Sequence, residues 1–208
     1  MAFVKKNDTT TVDQDQRDRP RDLAGLLAEL TGPNPVARRW AVKDLAAYPE
    51  SAQALADHLE QEADASVREA VLLSLTEIGD TIAVNELVNC LRSEDAHLRN
   101  EAIEAMKLLP DAVALIMAGL LVDPEPDVRI FAVNVLESLR HPDVEKWLLE
   151  VIEEDAHINV CGTAVDLLGE VGTELAVEPL RALKARFPQE PYITFAADIA
   201  LKRIGDTE

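Results

Sequence analysis

The chain has 208 residues, 48% apolar and only 4% aromatic, so its core must be built from Leu, Val, Ile and Ala, a helix-favouring palette. Thirty-nine Asp and Glu against 20 Lys and Arg leave a formal charge of -19, a field that repels DNA, RNA and anionic lipid and favours a basic partner. Cys90 and Cys161 lack CxxC or Cys/His spacing, "MAFVKKND" lacks the apolar stretch of a secretory leader, and the longest apolar run, "AVALIMAGLLV" at 112–122, is short of the ~20 residues that span a bilayer, so a soluble cytoplasmic protein is expected, without a disulfide framework, a zinc site or a membrane span.

In chain order, "KKNDTTTVDQDQRDRPRD" is polar and without apolar periodicity, which predicts a disordered tail over residues 1–20 ended by Pro20. A single domain is expected over residues 21–205. "DLAGLLAEL" at 22–30 opens it, and "ARRWAVKDLAAYP" (37–49) follows as the first copy of a repeated segment. Further copies are "VREAVLLSLTEIG" (67–79), "LRNEAIEAMKLLP" (98–110), "VRIFAVNVLESLR" (128–140), "VCGTAVDLLGEVG" (160–172) and "ITFAADIALKRIG" (193–205). Between them lie "SAQALADHL", "IAVNELVNCL", "AVALIMAGLL", "PDVEKWLLEVI" and "LAVEPLRALKA", each with a helical pattern.

The second position of each copy, Arg38, Arg68, Arg99, Arg129, Cys161 or Thr194, serves as an anchor, and the anchors are spaced by 30, 31, 30, 32 and 33 residues. Three positions later stands Ala41, Val71, Ala102, Ala132, Ala164 or Ala197, and seven later Leu45, Leu75, Met106, Leu136, Leu168 or Leu201, offsets that lie on one helix face. Eleven positions after the anchor come Pro49, Gly79, Pro110, Gly172 and Gly205, residues that end a helix at a constant phase. Twelve helices in six antiparallel hairpins result. A hairpin of about 30 residues cannot bury both its apolar faces alone, so hairpins must stack into a solenoid.

The pattern D-x-x-V-R-x-x-A-x-x-x-L-x-x-I-G, carried by "DASVREAVLLSLTEIGD" at 64–80 and "EPDVRIFAVNVLESL" at 125–139, resembles HEAT repeats of the short type named after phycobilisome lyases. The resemblance covers about residues 22–205 and implies an all-α, right-handed α-α superhelix. Members of this group include bilin lyases, scaffolds and regulatory adaptors.

Asn34, Asp64, Asp95 and Glu125 each precede an anchor arginine by four residues, where an Asn or Asp side chain caps a helix N-terminus. In stacked repeats the arginine also reaches an acid of the adjacent repeat, so Arg38, Arg68, Arg99 and Arg129 with Asp64, Asp95 and Glu125 are expected to form a structural ladder. The ladder fails at Cys161 and Thr194, and Gly162 falls inside a helix where it invites a close approach, marking 155–163 as irregular.

Chemistry is hard to find. His58, His97, His141 and His157 are scattered, "HE" never occurs, and no P-loop, GxGxxG or GxSxG is present. Cys161 with His157 one turn earlier is the nearest approach to a nucleophile and base, in surroundings without a basic residue to lower the thiol pKa. No enzyme, metal site or cofactor is expected.

Positions one, two, five and six after each anchor are expected to face away from the hairpin core, on the second helices that line the concave side of such solenoids. A partner-binding groove is therefore expected from Trp40, Glu69, Asn100, Glu101, Glu104, Ile130, Phe131, Asn134 and Asp166, with Trp40 and Phe131 as aromatic anchors. The expected function is a protein-interaction adaptor or scaffold for a basic or amphipathic segment, in signalling or complex assembly, with a monomer expected. The alternative is a bilin-lyase-like or other cofactor-delivery chaperone, which the resemblance implies and which calls for a pocket of tetrapyrrole size.

Overall fold

The computed structural model describes residues 21–205, so the expected 1–20 tail and the last three residues of the acidic "GDTE" end lie outside the described residues. Among the described residues there are twelve α-helices and no strand: α1 Leu23–Leu30, α2 Pro35–Leu45, α3 Ala52–Leu59, α4 Ala65–Ile78, α5 Thr81–Cys90, α6 Ala96–Lys107, α7 Pro110–Leu120, α8 Pro126–Leu136, α9 Val144–Glu154, α10 Ile158–Val171, α11 Val177–Arg186 and α12 Pro191–Ile204. They form six hairpins, and the fold is an all-helical solenoid type. Two compact units divide the chain between Ala83 and Val84.

In the first unit α2 packs on α4, and in the second α6, α8, α10 and α12 pack in succession. The residues three and seven after the anchors form the seam of each hairpin: Ala41, Leu45, Val71, Leu75, Ala102, Met106, Ala132, Leu136, Ala164 and Leu168 are all buried. Residues six after the anchor correct the expected solvent face. Ser74, Ala105, Val135, Leu167 and Ala200 are buried, because each follows the seam residue at position three by one turn and is pressed against the neighbouring second helix. Ser74 Oγ, for example, donates to the Val42 carbonyl at 3.1 Å.

Helix ends follow local chemistry. The side chains of Asn34, Asp64 and Asp95 accept from the amides of Val36, Ser66 and His97 at 3.0, 2.9 and 2.9 Å. Glu125 occupies the same position but makes no side-chain cap bond; its longer carboxylate instead lies 3.3 Å from Arg92. Gly79 ends α4 at φ 61°, a left-handed conformation that strains any residue with a side chain. Pro110 does more than end a helix: it is the first residue of α7, where its missing N–H costs nothing.

The anchor arginines share one geometry. Each guanidinium turns back and donates to the carbonyl six residues earlier: Arg38 to Gly32 at 2.9 Å, Arg68 to Glu62 at 3.3 Å, Arg99 to Ser93 at 2.6 Å and Arg129 to Asp123 at 2.7 Å. The acid that an anchor reaches in the next repeat also lies at that earlier position, two residues ahead of the expected cap acids. Arg38 donates to both oxygens of Glu62 at 2.7 Å, and Arg129 to both of Asp155 at 2.6 and 3.0 Å. The same carboxylates accept the amide two residues on: Glu62 from Asp64, Asp123 from Glu125 and Asp155 from His157, at 2.8, 3.0 and 2.7 Å. One side chain thus braces the inter-repeat loop and holds a partly buried cation.

These bonds set the charges. The Arg38 guanidinium, chiefly, with the Asp64 amide and His58, overcomes burial and holds the Glu62 carboxyl down at about 2. Arg92 likewise lowers Asp123. At Asp155 burial pushes upward, but the Arg129 bond and the His157 amide outweigh it and the net direction is down.

Candidate functional site

The second-helix face of the first unit is mixed in charge. On α2 the Trp40 side chain is exposed and the Lys43 ammonium lies 5.4 Å from its ring centroid, while Arg21 donates to the Trp40 carbonyl at 3.1 Å and pairs with Asp44. Glu69 is exposed on α4, and Leu73, four residues further along the same face, is 49% exposed.

The corresponding face of the second unit is acidic. On α6 Asn100 and Glu104 are exposed, Glu101 is half-buried 3.1 Å from His97, and Lys107 lies 3.0 Å from Glu104 and 3.7 Å from Glu137. Ile130, Phe131 and Asn134 on α8 are half-buried. The Phe131 ring is covered in part by the Arg99 guanidinium, 5.4 Å from its centroid, so the neighbouring anchor shares this aromatic with solvent.

Between α8 and α10 runs a groove of about 230 Å³. Val133 and Leu167 line its apolar part, Asn134 and Thr163 its neutral polar part, and Glu137, Asp166 and Glu170 supply the charge. Of the sequence-derived residues it brings Asn134 and Asp166 together; Ile130 and Phe131 do not line it. Glu137 and Glu170 were missed, although they lie eight and nine positions after their anchors, on the turn that the helical period brings back to positions one and five.

Gly162 has its physical reason here. A Cβ on Gly162 would stand 2.7 Å from Cε1 of Tyr192, so the missing side chain lets the Tyr192 ring lie across α10. Its hydroxyl then donates to Asp166 at 2.7 Å, a bond that, with burial, raises the phenol to about 12. Tyr192 remains 52% exposed and Phe195, one turn along α12, 65% exposed. Phe195 directly follows the anchor Thr194, so the offset rule that selected Glu69 and Asn100 selects it too.

The irregular fifth repeat resolves into a substitution of parts. Cys161 Sγ donates to the Asp155 carbonyl six residues back, at 3.2 Å, as an anchor arginine would. Arg186 comes from α11 to supply the missing guanidinium, donating to that carbonyl at 2.6 Å, to Cys161 Sγ at 3.1 Å and to the Glu153 carbonyl. A basic group therefore does sit beside the thiol, contrary to the expectation from sequence, yet burial dominates and the thiol is raised. Nε2 or Nδ1 of His157 would have to deprotonate it for nucleophilic chemistry; Nδ1 is buried without a hydrogen-bond partner among the described residues, and the raised thiol is a poor thiolate source. Cys90 is likewise buried and pushed up to about 12. Among the described residues no group of three or more His, Cys, Asp and Glu is placed to hold a metal ion, and no helix is long and apolar enough to cross a membrane.

Comparison with known proteins identifies the architecture. A family model described as HEAT repeats matches residues 23–107 and 113–202. Among solved structures, the third TOG domain of Mini spindles from Drosophila melanogaster is 17% identical, with a TM-score of 0.56 over 88% of this chain and 94% of that one. The complex of CpcE and CpcF of phycocyanin lyase from Nostoc is 19% identical with a TM-score of 0.39, covering 98% and 97% of the two chains. An archaeal HEAT-like repeat protein from Thermococcus onnurineus is 15% identical with a TM-score of 0.43, covering 93% and 92%. No curated protein matches the chain.

Proposed function

The chain belongs to the HEAT-repeat family, and from that premise we propose that it is a non-enzymatic adaptor that docks a basic or amphipathic segment of another protein on the second-helix face of its second unit. The observation that carries this reading is the groove between α8 and α10, where Glu137, Asp166 and Glu170 converge beside the exposed ring of Tyr192, with exposed Phe195 one turn further along α12. Its volume, about 230 Å³, is on the scale of a single long side chain. A Lys or Arg entering it meets carboxylates at its charged end and Val133 and Leu167 along its stem. The aromatic rings offer rigid apolar contact at small entropic cost, and the charge of -19 accelerates encounter with a cationic partner. Asn100, Glu101, Glu104, Ile130 and Phe131 extend the contact along α6 and α8, and Trp40 and Glu69 supply a further contact set on the first unit. A carboxylate-lined groove repels the propionates of a tetrapyrrole, which favours the adaptor over pigment delivery.

The test is capture from native lysate on the immobilised protein at low and high salt, with retained proteins identified by mass spectrometry. A partner with a basic segment is expected at low salt, released at high salt, and lost with Glu137→Gln/Asp166→Asn/Glu170→Gln. Retention indifferent to both salt and these substitutions removes the reading.

A further inference from the structure

The apolar run at 112–122 is absorbed only in part by the core and lies outside the acidic groove. It forms α7, a first helix of the second unit, whose buried face is complete: Val113, Met117, Leu120 and Leu121 are all inside. The opposite face carries Leu115 at 86% exposure, exposed Ala118 and Gly119, and Val122 at 75% exposure just past the helix end. Residues 115, 118 and 122 are spaced by three and four and so form one stripe. The neighbouring first helix shows what solvent normally selects: α9 exposes Lys146, Glu150, Glu153 and Glu154 at its surface. No charged residue occurs between Asp111 and Asp123.

Two further observations give the stripe a partner. Gly119 sits within the helix, where it is less stabilising than Ala, yet a Cβ there would meet nothing within 4 Å, so no contact among the described residues accounts for it. A bare backbone patch beside Ala118 suits the close approach of another helix. Beside the stripe a cleft of about 300 Å³ opens between α7 and α9, with Val122, Trp147 and Val151 in its wall and Glu150 and Glu154 among its lining residues.

We propose that the outer face of α7, with this cleft, is a second docking surface, and that its occupant is a cationic amphipathic helix of another protein. The apolar side of that helix packs along Leu115, Ala118 and Val122, one larger side chain enters the cleft against Trp147, and Lys or Arg residues on its flank meet Glu150 and Glu154. Charge complementarity favours a cationic partner over a second copy, because each copy brings the same carboxylates and a net charge of -19. The surface lies on the first-helix layer and stands independently of the α8–α10 groove.

Trp40 and Trp147 are the two tryptophans, so a Trp40→Phe chain carries Trp147 as a single reporter in the cleft wall. A synthetic Leu–Lys amphipathic helix, its Leu–Glu counterpart and a scrambled Leu–Lys peptide are titrated into it, reading Trp147 emission and the anisotropy of labelled peptide. The Leu–Lys helix is expected to bind and shift the emission, and Leu115→Glu/Val122→Glu to weaken it about tenfold or more. Glu150→Lys/Glu154→Lys is expected to exchange preference to the Leu–Glu helix, a gain that misfolding cannot mimic. Asp166→Asn/Glu170→Gln, on the other layer, is expected to leave the emission shift in place. Equal binding of the scrambled or acidic peptide, an unmoved Trp147, or indifference to Leu115→Glu/Val122→Glu overturns the proposal. So does sedimentation showing that the chain dimerises until Leu115 and Val122 are replaced, which makes a second copy the occupant.

Discussion

The Arg38 and Cys161 positions occupy equivalent places in their repeats and solve one problem in two ways. At Arg38 a single side chain satisfies the Gly32 carbonyl and binds Glu62 in the following repeat. At Cys161 the thiol donates only to the equivalent carbonyl, that of Asp155, and a guanidinium arrives from Arg186, 25 residues away along the chain. What the two repeats share is a donor at that carbonyl, because an inter-repeat loop with an unsatisfied C=O near the core loses more than the bond is worth. The residue that delivers the donor is exchangeable.

The largest effect is expected from Arg38→Ala. It leaves Glu62, whose side chain is 2% exposed, without its main partner, and we expect a loss of about 3 kcal/mol in urea unfolding. The same pair predicts acid sensitivity. The Glu62 pKa is depressed from 4.5 to about 2 in the folded chain, so its stabilising contribution is whole above pH 4.5 and disappears as pH falls toward 2. Arg38→Ala should flatten stability against pH in that window, measured by urea melts at successive pH values.

Cys161→Arg comes next. With Arg186 still in place two guanidinium groups compete for one buried site, and the expected loss is about 2 kcal/mol. Arg186→Ala alone removes bonds at a more exposed position and is expected to cost about 1 kcal/mol. Together they should cost less than their sum, since the alanine vacates the space that the introduced guanidinium needs; strict additivity in thermal or urea melts would show that Arg186 does not stand in for an anchor.

Gly162→Ala has the smallest expected effect on stability. The side chain it would strike is the exposed end of Tyr192, which can swing away, and the gain in helix propensity of about 1 kcal/mol offsets the lost hydrogen bond. The informative readout is the phenol: its pKa should fall from about 12 toward the ordinary 10 in an ultraviolet titration, as it should in Asp166→Asn.

Much of this was legible in the chain. The anchor spacing located six helices, because a residue three and seven places along must fall on one face whatever surrounds it, and the apolar patterns before and between the copies located the other six. The caps at Asn34, Asp64 and Asp95 follow from side chains short enough to reach their own first turn, and Gly79 and Gly205 take the left-handed conformation that suits a helix end. Gly172 ends α10 with extended backbone instead. The ladder's acids stand two residues before the expected ones, since the cap position draws the eye while Glu62, Asp123 and Asp155 look like ordinary loop residues.

Of the seven residues that line the acidic groove, two were legible in the sequence. Asn134 and Asp166 fall at position five, and the helical period carries the same face one turn on to Glu137 and Glu170; that residues of two helices meet in one groove depends on the spacing of α8 and α10, which no period within one helix encodes. Helix positions, hairpin pairing and charge were properties of the chain, because they depend on neighbours three, four or thirty residues away in a repeating register. Which carboxylate holds Arg38, which arginine replaces the one absent at Cys161, why Gly162 is a glycine and which face of α7 stays uncovered depend on side chains from different helices meeting across a few ångströms, and that meeting exists only once the hairpins are stacked.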